Sequence, residues 1–234
     1  MKNEISFKLW GRYALFTDPV TKVGGEKCSY HVPTYEAVKG VLKSIYWKPT
    51  LIWHVDKVRV MKSIQTQTKG TKPLVWSGGN SLAIYTFLHD VEYQVKAHFE
   101  WNEHRPELAK DRVDGKHFSI AKRMLEKGGR QDVFLGTRDC QGYVEPCEYG
   151  EGKSDYDDIP ELGFGMMFHG FDYPDETGKD ELHSRFWRAT MKNGEIEFPR
   201  PEQCDTRHFV RDMQAKDFSL GDNLLDVQSE ENAL

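Results

Sequence analysis

Several marks of common protein classes are missing from this sequence. There is no C-x-x-C pair among its four cysteines, Cys28, Cys140, Cys147 and Cys204, and the six residues between Cys140 and Cys147 are too many for a zinc knuckle. The nine histidines are scattered, with no H-E-x-x-H or H-x-x-x-H spacing, so the cysteines read as free thiols and no metal centre or cofactor is expected. No apolar run approaches the roughly 18 residues of a membrane span. The segment Met1–Ile5 carries no hydrophobic signal block, which makes the cytosol the expected compartment. No internal repeat is visible. At 234 residues, with 38% hydrophobic and 29% charged, the chain can bury one large core or two small ones.

A positive net charge is also lacking, since the whole carries −5. The average hides an asymmetry. Residues 1–127 hold 16 Lys and 5 Arg against 13 acids, a net of +8, and residues 128–234 hold 11 basic against 24 acidic residues, a net of −13. A basic half is the footprint of a polyanion partner, because phosphate contacts supply most of the sequence-independent affinity for nucleic acid.

Hydrophobic periodicity then orders the chain. Ile5, Phe7 and Leu9 alternate in a strand over residues 5–16, with a bulge or bend expected at Gly11. A loop follows with Lys22 and Lys27 around Gly24 and Gly25. A helix starts at Pro33-Thr34, shows the apolar face Ala37, Val38, Val41, Leu42 and Ile45, and ends at Tyr46 because Pro49 forbids continuation. Residues 51–68 read as one strand broken near Asp56, residues 69–80 as turns, and residues 81–101 as a strand with clean alternation from Val91 to Trp101. A second helix opens at Lys116 and stops at Gly128-Gly129, and residues 132–137 form a short strand. The order β, α, β, β, α, β implies an α+β, ferredoxin-like domain over 1–138, a layout shared with RNA-recognition modules. Beyond it, a small antiparallel sheet is expected over 139–205. It includes a glycine-interrupted strand at 162–171 and a hairpin turning at Asn193-Gly194, and residues 206–234 form an acidic, frayed tail.

Asp114–Ser119 concentrates the chemistry. Lys116 and His117 fall in the first turn of a helix, where unpaired N–H groups and the dipole favour an anion. Single-stranded RNA can be cut without metal by its own 2′-hydroxyl, given a base, a cation for the phosphorane and an acid for the leaving oxygen. His117 suits the base or the acid, Lys116 the charge, and Tyr46 the orienting group or the acid. Two helices on one sheet face would bring Tyr46 towards the other two. Arg12, Lys22, Lys27, Lys48 and Arg59 are candidate phosphate contacts. A metallo-hydrolase built on His169 and Asp172 is the alternative from another class.

The run Phe7–Tyr30, its continuation Val32–Ala37, Trp53, Gly115–Phe118 and Gly142–Cys147 resemble the CRISPR-associated Cas-five proteins of subtype I-C, over nearly the whole chain. The resemblance implies a metal-independent endoribonuclease that recognises the repeat hairpin of precursor CRISPR RNA and cuts at its 3′ base. The products carry a cyclic phosphate and a 5′-hydroxyl, and the protein stays on the 5′ handle within the interference complex, beside its backbone and large subunits. The family's catalytic Tyr, Lys and His match Tyr46, Lys116 and His117. A non-catalytic RNA-capping subunit is the competing role in the same superfamily. The basic half also admits double-stranded DNA as a partner.

Overall fold

The computed structural model describes residues 3–18 and 26–233, with side chains through 230, so Lys22 and the Gly24-Gly25 turn lie outside the described residues. The fold is mixed α/β, with mostly antiparallel sheets and few helices. In chain order the strands are β1 (Glu4–Ala14), β2 (Lys27–Cys28), β3 (Leu51–Val60), β4 (Thr66–Thr71), β5 (Ala83–Trp101), β6 (Val133–Phe134), β7 (Gln141–Pro146), β8 (Leu162–Asp172), β9 (Glu181–Met191), β10 (Glu195–Glu197) and β11 (Thr206–Asp212). The helices are α1 (Tyr35–Ile45), α2 (Lys116–Glu126), α3 (Pro174–Thr177) and α4 (Val227–Ala233), with a 3-10 turn at Pro106–Asp111.

The main sheet runs β10-β3-β5-β1-β7-β6, with β2 and β4 also paired to β5, and the second sheet runs β11-β9-β8. Inward residues of β1, β3 and β5 (Phe7, Leu9, Trp53, Val58, Val95 and Phe99) are buried in one core with Val38, Leu42 and Ile45 of α1 and Ile120 and Met124 of α2. Thr34 caps α1 by accepting from the Ala37 amide at 3.2 Å, and Tyr46 leaves the helix in an extended conformation at φ −160°. Gly115 holds a left-handed φ of 78° just before α2, so the amides of the first turn have no side-chain cap.

Several expectations are revised. The strand expected at 132–137 shrinks to Val133–Phe134, and the fourth long strand against β1 is β7, with Phe7 opposite Pro146 and Trp10 opposite Tyr143. Its alternation is short and polar, which hides it from periodicity. The expected strand 51–68 is two, β3 with its bulge between Val55 and Lys57, where the break was expected, and β4, which pairs with β5 and runs on into the stretch read as turns. Gly11 is not a bulge: it stays in register opposite Val91. A Cβ there would meet Leu135 Cδ1 at 2.6 Å and the Gln141 carbonyl at 2.8 Å, so the glycine admits the close approach of β7. The Asn193-Gly194 turn has φ of 47° and 81°, as its type requires, but β10 beyond it returns to β3 in the main sheet. The frayed tail is also corrected. β11 pairs with β9, and Val227 of α4 is buried in the core, because one apolar side chain and several ion pairs anchor an otherwise acidic segment.

Candidate active site and its surroundings

Tyr46 follows the last turn of α1, and His117 is the second residue of α2. The sheet brings these two helix ends together: Tyr46 Oη lies 2.9 Å from His117 Nδ1. His117 Nε2 lies 2.7 Å from the backbone carbonyl of Asp111, which can only accept, so Nε2 carries the proton and Nδ1 accepts from the Tyr46 hydroxyl. The edge of Trp101 packs on the imidazole at a centroid distance of 5.3 Å, and Trp53 Nε1 donates to the Tyr46 carbonyl at 2.7 Å. Both members of the pair are 0% exposed. Burial lowers the His117 pKa from its usual value, against the opposing pull of the Asp111 carbonyl and carboxylate, and keeps the imidazole neutral. Burial likewise pushes the Tyr46 phenol up, reinforced by the nearby Glu230 and Asp111 carboxylates. Lys116 is half-buried at the first position of α2, next in sequence to His117.

Asp111, which sequence patterns did not reveal, is the hub of this site. Its carboxylate accepts from Thr50 Oγ1 at 2.5 Å, from the Val227 amide at 2.6 Å and from Lys48 Nζ at 3.1 Å. Lys48, expected to contact phosphate, is 2% exposed and also reaches the Leu225 carbonyl at 2.5 Å and Glu230 at 3.3 Å. Its partners lie 63 or more residues away in sequence, and no local pattern predicts them.

The other expected contacts disperse. Arg59 is buried and donates to the Gly152 carbonyl at 3.1 Å and to Asp157 at 2.7 Å. Arg12 lies over the Tyr13 ring and Lys27 over the Tyr85 ring, at 5.4 and 4.8 Å from the centroids. Tyr13, Lys27, Lys69, Lys72, Tyr85 and Phe87 line an open cleft of about 480 Å³ at the opposite end of β5 from Trp101. This aromatic and basic cleft was missed because its residues come from β1, β2, β4 and β5. The alternative pair His169 and Asp172 is occupied. His169 Nε2 donates to the Pro199 carbonyl at 3.1 Å, Nδ1 accepts from Arg185 Nε at 3.3 Å, and Arg185 also pairs with Asp172. Among the described residues no helix is long and apolar enough to cross a membrane, and no group of three His, Cys, Asp or Glu is placed to hold a metal ion.

Comparison with known proteins places the chain. Two relatives bear the name CRISPR pre-crRNA endoribonuclease Cas5d. One, from Mannheimia succiniciproducens, is 28% identical and covers 85% of this chain and 96% of its own length. The other, from Thermus thermophilus, is 27% identical and covers 83% and 91%. A crystal structure described as that of a CRISPR-associated protein superposes with a TM-score of 0.75 at 37% identity, over 88% of this chain and 96% of its own. A functionally uncharacterized protein from Streptococcus mutans gives 0.73 at 38% identity, with the same coverage. The family profile described as CRISPR-associated protein (Cas_Cas5) matches residues 4–199, from β1 to just past β10, and the chain therefore belongs to the Cas5d family.

Proposed function

We propose that this chain is the endoribonuclease that processes precursor CRISPR RNA, with Tyr46, Lys116 and His117 as its catalytic residues and no metal in the step. The observation that carries this reading is the 2.9 Å contact between Tyr46 Oη and His117 Nδ1, with Lys116 next in sequence to His117, at the start of a helix in the basic half of the chain. The chemistry follows from the proton positions. A neutral His117 with its lone pair on Nδ1 is a base, and the atom it faces is the Tyr46 hydroxyl. Tyr46 therefore passes protons between RNA and imidazole: the 2′-hydroxyl gives up its proton through Tyr46 to His117, the 2′-oxygen attacks the adjacent phosphorus, and the P–O bond to the 5′-oxygen breaks as that oxygen takes the proton back from the His117 imidazolium through Tyr46. Lys116 and the uncapped amides of α2 stabilise the phosphorane charge.

The strand order β3-β5-β1-β7, with α1 and α2 as the connecting helices, supports a ferredoxin-like RNA-binding unit, to which the β8-β9-β11 sheet is the smaller second unit. The cleft lined by Lys27 and Tyr13, with Arg12 over the Tyr13 ring, is the candidate RNA-backbone contact on that unit. The repeat hairpin is the substrate, and the other subunits of a type I-C interference complex, in the cytoplasm, are the partners that fit the family. A binding-only, RNA-capping role is the second reading, favoured by the complete burial of Tyr46 and His117. Synthetic repeat RNA in EDTA separates the two. Cleavage by the unaltered protein, lost on His117→Ala and on a 2′-deoxy substitution at the cut, supports the enzyme. Binding without product between pH 6 and 9 supports capping.

A further inference from the structure

The buried pair raises the question of what an RNA strand would have to displace. Tyr46 and His117 are wholly inaccessible, and the chain packed onto the residues that hold them is the C-terminal segment. The Leu225 carbonyl accepts from Lys48, and the Val227 amide donates to Asp111, the residue whose carbonyl fixes His117. The Val227 side chain is 1% exposed, and α4 packs against α2. Glu230 reaches furthest. Its carboxylate lies 3.3 Å from Lys48 Nζ and is paired on its other oxygen with the Arg130 guanidinium.

The two cations are fixed around Tyr46 by backbone. Lys48 is two residues further along the chain, and the Arg130 amide donates to the Ser44 carbonyl at 3.0 Å, two residues before it. Arg130 and Glu230 both act on the Tyr46 phenol, with opposite sign. The charges also close. Lys48 and Arg130 carry two positive charges, Asp111 and Glu230 two negative ones, and the group is neutral as it stands. Without Glu230 it has one positive charge left over, the complement of one phosphodiester. A carboxylate and a phosphodiester are alike to these partners: each is an acceptor-only anion whose oxygens suit a guanidinium fork and an ammonium.

We propose that Lys48 and Arg130 form the phosphate site for the RNA strand to be cut, and that Glu230 fills this site in the free protein, so that RNA and the C-terminal segment compete for it. The inference rests on the RNA-processing reading and adds to it the ligands of the phosphate next to Tyr46. It also restores Lys48 to RNA contact, not in the closed arrangement but once the segment leaves.

The test uses the full chain and a repeat RNA made uncleavable by a 2′-deoxy substitution at the cut, so that its outcome stands apart from catalysis. Glu230→Gln removes the competing charge and keeps Val227 in place. It is expected to bind this RNA several-fold more tightly than the unaltered protein. Arg130→Gln is expected to weaken binding when added to Glu230→Gln, where it can no longer act through the Glu230 carboxylate. Hydrogen exchange of the Val227–Ala233 amides should speed up when RNA is added. Unchanged or weaker binding by a folded Glu230→Gln protein, or exchange in α4 that RNA leaves unchanged or slows, would overturn the proposal. If α4 opens and Glu230→Gln tightens binding but cleavable RNA yields no product, the phosphate site stands and the enzyme reading falls.

Discussion

The two ends of β5 handle positive charge in opposite ways. At the Trp101 end, Lys48 is withdrawn from water and surrounded by Asp111 and Glu230, with an imidazole kept neutral beside it. At the Tyr85 end, Arg12, Lys27 and Lys69 stand over the faces of Tyr13, Tyr85 and Phe87, rings that line an open cleft. A buried cation without a carboxylate costs several kcal/mol, whereas a cation on an exposed ring needs no such partner. The first arrangement suits chemistry on one bond, and the second suits salt-sensitive contact with any strand. The basic half of the sequence is thus two separate devices.

The largest effect that would break this contrast is at the buried end. His117→Ala should lower the cleavage rate by about 10²- to 10⁴-fold in single-turnover assays while RNA binding persists, the usual range for losing a general acid or base. An equal loss from Ala substitutions in the cleft would erase the distinction. Asp111→Ala leaves Lys48 buried beside fewer acceptors, and chemical denaturation should show a loss of about 3–5 kcal/mol. Thr50→Ala should cost less, about 1–3 kcal/mol, because it removes one of several donors to the same carboxylate.

Acid should weaken the fold in a defined window. Burial depresses the pKa of three histidines from about 6.5: His54 to about 4, His169 to about 3, and His117 in the same direction. Unfolded chains take up these protons near pH ~6.5 and the folded chain does not, so stability is full above that value and falls as pH drops towards the folded pKa values. Each group contributes at most about 1.4 kcal/mol per pH unit. Urea midpoints between pH 7 and 5 measure the slope, and His169→Gln should flatten it. The smallest effect belongs to the cleft. Lys27→Ala or Lys69→Ala should weaken RNA binding about equally across sequences and reduce the slope of log K against log salt by roughly one each. Arg59→Ala should leave that slope unchanged and lower stability, since its partners are Gly152 and Asp157.

The parts legible in sequence were those with local causes. Thr34 and Pro49 bound α1, Gly128 stops α2, and Val91 to Trp101 alternate, so both helices and the longest strand fell where periodicity put them. β7 was misread because its partner is β1, more than 130 residues away, and its only buried side chain is that of Val144. Tyr46 and His117 are 71 residues apart, and their contact follows from two helices ending on one side of the sheet. Asp111 sits in a polar stretch without period, and Glu230 in an acidic run that composition alone assigns to solvent. What gives either residue a role is a cation from a distant element.

β5 has one further consequence. It runs for 19 residues from Ala83 to Trp101, with a φ of 50° at Asp90, and pairs along its length with β1, β2, β3 and β4. A strand held this way cannot stretch, since each residue advances about 3.3 Å by covalent geometry alone. The cleft at Tyr85 and the imidazole against Trp101 are therefore two marks on one ruler. A strand of RNA reaching both would span a distance fixed by protein backbone.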